Sequence, residues 1–269
     1  MNDTVDRTLA IVETLARHPG GLPLVRLSDC VGLPADAAGP LLADLVRCGY
    51  VCQVRAEGDY ALTTKLSGLG LTFLSRSRVV DVAQPVLERL AEKSGELVRL
   101  SIVDGDRLPW MARVQGARSG LRYDSDMGMD AQLSCSASGH AWLLTMTDEE
   151  VAERVQRQGL AQPGRYGPNA PATLDQLLDV VRQARARGYG VAVETFAAGW
   201  NAVAAPVRAR DEPAIGVISV GGPAQRLTEA RMHELAPALL DAAAELAAAR
   251  GASQLLLRSA GGRRPDTAE

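Results

Sequence analysis

Residues 24–51 read LVRLSDCVGLPADAAGPLLADLVRCGYV. Leu24, Leu27 and Val31 fall on one face of a short helix, Gly32-Leu33-Pro34 supplies a turn, and Leu41, Leu42, Leu45 and Val46 recur at helical spacing until Gly49 stops the run. Two short helices joined by a Gly-containing turn make a helix-turn-helix. Upstream, Val5, Leu9, Val12 and Ala16 mark a first helix over 4–18, which Pro19-Gly20-Gly21 ends. Downstream, the β-prone runs 50–54 and 60–63 flank Ala56-Glu57-Gly58-Asp59 and read as a hairpin. After three helices, that hairpin is a wing.

Pro40 complicates this. Its missing N–H is tolerated in the first helical turn and not beyond it, so the third helix is expected to start near Gly39 and run to about Cys48.

The rest of the chain changes character. A linker helix over 66–78 leads to a helix over 79–93, and strands follow at 97–103 and 108–114 around the Asp104-Gly105 hairpin step. Thr147-x-x-Glu150 and Thr173-x-x-Gln176 are capping boxes that open two further helices, the second running to Gly188. Strands at 189–194, 202–207 and 215–220 precede a last helix over 228–249, and the Gly/Arg/Pro-containing residues 251–269 read as a flexible tail. The expected fold class is α+β: a winged helix-turn-helix over 1–65, the linker helix 66–78, and over 79–250 a mixed sheet flanked by helices.

A length of 269 residues suits two domains, and 46% hydrophobic with 23% charged residues excludes wholesale disorder. No apolar run is long enough to cross a bilayer and residues 1–17 are too polar for a secretory signal, so a cytoplasmic location without membrane contact is expected. Cys30, Cys48, Cys52 and Cys135 are too few for a disulfide scaffold. Cys48-x-x-x-Cys52 lacks a second close pair to complete a zinc site, His18, His140 and His233 are scattered, and no Gly-rich phosphate loop appears, so no metal or cofactor is assigned. Net charge is −3, and residues 1–65 carry six Lys/Arg against eight Asp/Glu, which leaves nucleic-acid affinity to a local patch.

Several segments, in their order and spacing, resemble the IclR family of bacterial transcriptional regulators from about Thr4 to Ala249. They are Val5-Asp6-Arg7-Thr8-Leu9-Ala10-Ile11, Gly32-Leu33-Pro34, Gly49-Tyr50-Val51 and Tyr60-x-Leu62-Thr63 in the first part. The second part adds Gly95-Glu96-x-Val98, Ala112-Arg113-Val114-Gln115-Gly116, Ser138-Gly139-His140-Ala141, Arg187-Gly188-Tyr189, Ala204-Ala205-Pro206-Val207 and Ser219-x-Gly221-Gly222-Pro223. The resemblance implies a DNA-binding winged helix, a linker helix used in dimerisation, and a GAF-like domain that binds a small carboxylate or aromatic effector. It also implies self-association as a dimer or tetramer, with double-stranded DNA and a small molecule as the other partners.

The third helix departs from the family pattern. Where relatives place basic and hydroxyl residues after Gly-Leu-Pro, this chain has Ala35-Asp36-Ala37-Ala38-Gly39-Pro40. Arg to guanine is the commonest specific contact, and these positions carry no arginine. Asp36 either accepts from a cytosine amino group or caps its own helix. Arg7, Arg26, Arg47, Arg55 and Lys65 are the candidate phosphate partners, which position a duplex without reading its sequence.

For the effector, Cys135-Ser136-Ala137-Ser138-Gly139 precedes an apolar helix expected over 140–146, and amides at a helix start attract carboxylates. By the resemblance, Ala137 and Ser138 line the pocket, with Ala202, Ser219 and Gly221 on facing strands. Trp110, Met127 and Met129 add either an apolar wall or ordinary core, while Asn201, Arg122 and Tyr123 either orient polar groups or are solvated loop residues. The alternative is a repurposed member of the fold that has lost sequence-specific DNA reading and binds or transforms a small molecule. It has one nucleophile–base pair to offer, Cys135 with His140, and no third group that would orient the base.

Overall fold

A computed structural model describes residues 3–55, 58–119, 127–162, 164–210 and 212–261. The chain divides into two units, Met1–Arg76 and Ser77–Glu269.

In the first unit, α1 (Asp3–Ala16), α2 (Leu24–Val31) and α3 (Ala35–Arg47) pack around Ile11, Leu15, Leu27, Leu42 and Leu45. The periodic pair Val5 and Leu9 lies on the exposed side of α1, about half exposed, and Ile11 and Leu15 face the core in their place. On α3, Leu42 and Leu45 are buried and Val46 is 41% exposed. Gly32 ends α2 in the left-handed region at φ 67°, which a glycine adopts without a Cβ penalty, and Leu33 N–H closes the turn on the Ser28 carbonyl. Strands β1 (Val51–Gln53) and β2 (Tyr60–Leu62) pair antiparallel with Val51 opposite Leu62. The turn residues Ala56 and Glu57 lie outside the described residues. Helix α4 (Thr64–Ser77) follows.

The expected late start of α3 is corrected. The helix begins at Ala35 because Pro34, fixed at φ −59° and ψ 147°, acts as the N-cap residue, and its carbonyl accepts from the Ala37 and Ala38 amides at 3.0 Å each. Asp36 is therefore the second helical residue and not a cap, where its charge still suits the helix N-terminus. Pro40 sits inside the helix. Both Pro40 and Asp36 are exposed, so water can reach the Asp36 carbonyl that has lost its i+4 donor.

In the second unit, α5 (Val79–Ser94), β3 (Leu97–Ile102), β4 (Trp110–Gln115), α6 (Ala137–Leu143), α7 (Asp148–Gln158) and α8 (Leu174–Arg187) come first. They are followed by β5 (Gly190–Val193), β6 (Trp200–Val207), β7 (Gly216–Pro223), α9 (Glu229–Ala248) and α10 (Gln254–Gly261). The five strands form one antiparallel sheet in the order β4-β3-β7-β6-β5. Helices α5 and α9 pack together and on the sheet, and α6 lies over β5, β6 and β7. Strands β3, β6 and β7 are buried at every position, as strands covered on both faces must be. The sheet face turned to α6, α7 and α8 contributes Trp110, Ala192, Ala202, Ala204 and Val217 to one core with Leu133, Ala137, Ala141, Leu177 and Val181.

Local chemistry sets the element ends. Thr147 and Glu150 form a complete capping box. Thr173 also caps α8, but the Gln176 side chain accepts from the Ala172 amide, so that box is not reciprocal. The chain after Gly251 is ordered through residue 261, contrary to a loose tail: α10 forms there, Leu256 is fully buried, and the Ser253 hydroxyl donates to the Ser77 carbonyl at 2.9 Å.

Candidate functional site

The nucleic-acid candidates all lie in the first unit. Asp36, Arg26, Arg47, Arg55 and Lys65 are exposed and Arg7 is half-buried. Two of the cations have local work. Arg47 pairs with Asp44 at 2.9 Å, and that hydrogen bond raises the guanidinium pKa further. Lys65 Nζ donates to the Cys48 carbonyl at 2.7 Å, satisfying the end of α3, and lies 4.4 Å over the Tyr50 ring. Arg26 on α2 and Arg55 in the wing present their charges to solvent.

The effector candidates lie in the second unit. Helix α6 begins three residues earlier than the apolar pattern indicates, because Ser136 is its N-cap and accepts from the Gly139 amide at 3.0 Å. The whole helix is buried, Ala137 and Ser138 included. It can lie so close because two neighbours lack side chains. A Cβ on Gly139 would come within 2.3 Å of the Leu133 carbonyl oxygen, and one on Gly190 within 2.8 Å of Ala137 O and Ala141 N.

Cys135 and His140 are engaged separately. The His140 ring nitrogens face the backbone carbonyls of Ser134 at 3.1 Å and Val191 at 3.2 Å. Burial lowers its pKa, those two carbonyls oppose the shift, and Arg187 adds to it. Burial pushes the Cys135 thiol up to about 12, which keeps it protonated and non-nucleophilic.

On the sheet, Ala202 pairs with Gly221 and Ala204 with Ser219. The space that a Gly221 side chain would fill is taken by Trp200, whose ring lies 2.9 Å from the position of a Cβ. Asn201 is 4% exposed and holds backbone at both ends: Oδ1 accepts from the Glu194 amide at 3.1 Å, and Nδ2 donates to the Leu227 carbonyl at 2.9 Å. Met127 and Met129 are exposed, at 36% and 56%, and the Met129 carbonyl accepts from Trp110 N. Trp110 itself is 2% exposed, edge-on to Phe196 at 6.1 Å between ring centroids, and Phe196 meets Tyr166 at 5.8 Å. Arg122 and Tyr123 lie outside the described residues.

The structure adds a residue that spacing did not single out. Arg99 is 5% exposed and stacks its guanidinium 4.2 Å over the Trp110 ring, in register with Ser219 on β7. A signal was present in the sequence. In Leu97-Val98-Arg99-Leu100-Ser101-Ile102 the alternation places an arginine and a serine on one face of a strand that is otherwise apolar.

Comparison with known proteins agrees over most of the chain. A family model for the IclR helix-turn-helix domain matches residues 4–55, and one for the bacterial transcriptional regulator IclR C-terminal domain matches residues 71–248. The acetate operon repressor of Salmonella typhimurium is 27% identical over 252 residues, 93% of this chain and 91% of that protein. An IclR transcriptional regulator from Alicyclobacillus acidocaldarius has a similar structure, with a TM-score of 0.78 at 22% identity over 92% of this chain and 98% of that one. An IclR homolog from Microbacterium hydrocarbonoxydans, solved in complex with 4-hydroxybenzoate, gives a TM-score of 0.70 at 22% identity over 91% of this chain and 100% of that one.

Proposed function

Because this chain belongs to the IclR family of bacterial transcriptional regulators, we propose the following division of labour. Residues 1–65 grip operator DNA, 66–78 link paired protomers, and 79–250 hold a small carboxylate or aromatic effector that changes operator affinity. The observation that carries this reading is the pairing of a helix that starts directly after the Gly-Leu-Pro turn, with Ala35, Asp36 and Pro40 exposed on it, with a separate sheet unit that buries polar side chains. In the first unit, Arg26 and Arg55 are the phosphate contacts of choice, since Arg47 and Lys65 have protein partners. In the second, Trp110, Cys135, Ala137, Ser138, Ala202 and Ser219 form the effector surroundings, and the relative bound to 4-hydroxybenzoate supports an aromatic acid as ligand.

Self-association belongs to this proposal. Helix α4 leaves Leu69, Leu71 and Phe73 between 48% and 67% exposed, apolar surface that a second copy would cover. The protein would act in the cytoplasm, where its DNA is, and among the described residues no helix is long and apolar enough to cross a membrane. An enzymatic role for Cys135 and His140 is disfavoured by the protonated thiol and by the carbonyls that occupy the imidazole.

An effector acts by binding one DNA-binding state of the protein better than another. The test is therefore a coupling measurement: affinity of the full-length protein for the DNA upstream of its own gene, with and without small aromatic and 2-oxo acids. A shift of fivefold or more with at least one acid is expected. Operator affinity unmoved by every acid that binds the protein would overturn the regulatory reading.

A further inference from the structure

We propose that α10 is a clamp on the joint where the linker helix enters the second unit, with Ser253 and Leu256 as the residues that position that joint. This rests on the regulatory reading above, in which the covalent route from the second unit to the winged helix runs through residues 77–78.

The joint is short and strained. Helix α4 ends at Ser77 and α5 begins at Val79, so Arg78 alone separates them. Arg78 lies in the left-handed region, at φ 56° and ψ 13°. A residue with a Cβ is disfavoured there, and it persists where the surrounding structure fixes it. On the α5 side, Val79 and Ala83 are fully buried and the Arg78 carbonyl accepts from the Val82 amide at 3.1 Å. On the other side, Ser77 is the one buried residue of α4. Its carbonyl accepts from the Ser253 hydroxyl at 2.9 Å, a contact from the far end of the chain.

A 3₁₀ turn, Ala249–Ala252, carries the chain from α9 to Ser253, and α10 then packs against α5. Ser253 is fully buried and works in two directions. Its hydroxyl donates to Ser77 and accepts from the Leu256 amide at 3.4 Å, as a capping serine does. The residue that starts α10 therefore also holds the end of α4. Leu256 is fully buried, while Gln254, Leu257 and Arg258 are exposed, so this one leucine seats the helix. Helix α10 lies past residue 248, where the family match ends, so family membership assigns it no role.

The experiment is limited trypsin digestion of the full-length protein, with the cuts assigned by mass. Arg76 and Arg78 are exposed, but Ser77 and Val79, which follow them, are buried, so cutting there requires the joint to open. Cutting after Arg165, in an exposed turn of the second unit, is the internal reference. Relative to it, Leu256→Asp should speed cutting at the joint about tenfold and Ser253→Ala about threefold. Arg78→Gly adopts the same backbone without strain. In that background, read after Arg76, Ser253→Ala should change cutting by less than about twofold, a non-additivity that a merely local packing role would not give.

The functional readout is affinity for the upstream duplex, which Leu256→Asp should weaken about fivefold. If Leu256→Asp fails to fold, Ser253→Ala decides both readouts. The clamp is overturned if these variants cut like the parent at the joint, or if they cut faster there and bind the duplex as tightly as the parent. Digestion needs neither DNA nor effector, so a parent with no preference for its upstream duplex overturns the regulatory reading and leaves the digestion result standing.

Discussion

The leading turn of α3 and the α6 side of the sheet are opposites in how they treat polar groups. Residues 35–40 face solvent for the most part and carry one charged side chain, Asp36. The sheet side is closed to solvent and carries Arg99, Ser101, Trp110 and Ser219. A missing donor on an exposed turn leaves the fold untouched, because water satisfies the backbone there. A donor in a closed interior has to be accounted for. The absence on α3 therefore says little about stability and much about base reading, whereas the polar groups on β3 bear first on how the interior of the second unit is held together.

Substituting the same residue type in the two regions gives effects of different size and opposite sign. Gly139→Ala is expected to have the largest effect: its Cβ would meet Leu133 backbone at 2.3 Å, which cannot swing away as a side chain can. A loss of about 3 kcal/mol or more is expected, read as a lower unfolding midpoint of the second unit, and a neutral result would show that α6 does not sit as described. Next, Asn201→Ala leaves the Glu194 amide and the Leu227 carbonyl without their partner. That should lower stability by about 2 kcal/mol, whereas Asn201→Asp, which keeps the acceptor and loses the donor, should fall between.

His140 gives a pH signature confined to the buried region. Its native pKa lies below the usual 6.5, chiefly through burial, so below pH 6.5 the unfolded chain binds more protons than the native one. Stability is thus full above pH 6.5 and declines as pH falls, with a slope of at most about 1.4 kcal/mol per pH unit for one proton. A profile for the second unit that is flat between pH 6.5 and 5 would contradict this. Last and smallest, Gly39→Ala on α3 meets nothing within 4 Å. It should stabilise the first unit by roughly 0.5–1 kcal/mol; destabilisation would mean that Pro40 bends the helix there more than its hydrogen bonds indicate.

Features that residues determine with their near neighbours were legible in the sequence. The Gly32-Leu33-Pro34 turn, the Thr147 capping box and the bend at Asp104-Gly105 are each fixed within a few residues. The start of α3 was not, because the cap is the backbone carbonyl of Pro34 and no side chain advertises it. Helix α1 carries two apolar stripes, and composition does not say that Ile11 and Leu15 win the core over Val5 and Leu9. Helix α10 depends on Ser253 reaching Ser77 and on the burial of Leu256, contacts distant in sequence. Arg99 was half legible: its alternation with Leu97 and Ser101 is local, but the Trp110 ring it stacks on arrives from the neighbouring strand.

The most direct measurement is the affinity of the full-length protein for the duplex upstream of its own gene against a scrambled duplex of equal length and composition, at matched ionic strength. A winged helix that still reads DNA predicts tighter binding to the upstream duplex by tenfold or more, with both affinities falling linearly in log–log form as salt rises. Equal affinity for the two duplexes at every salt concentration would contradict it.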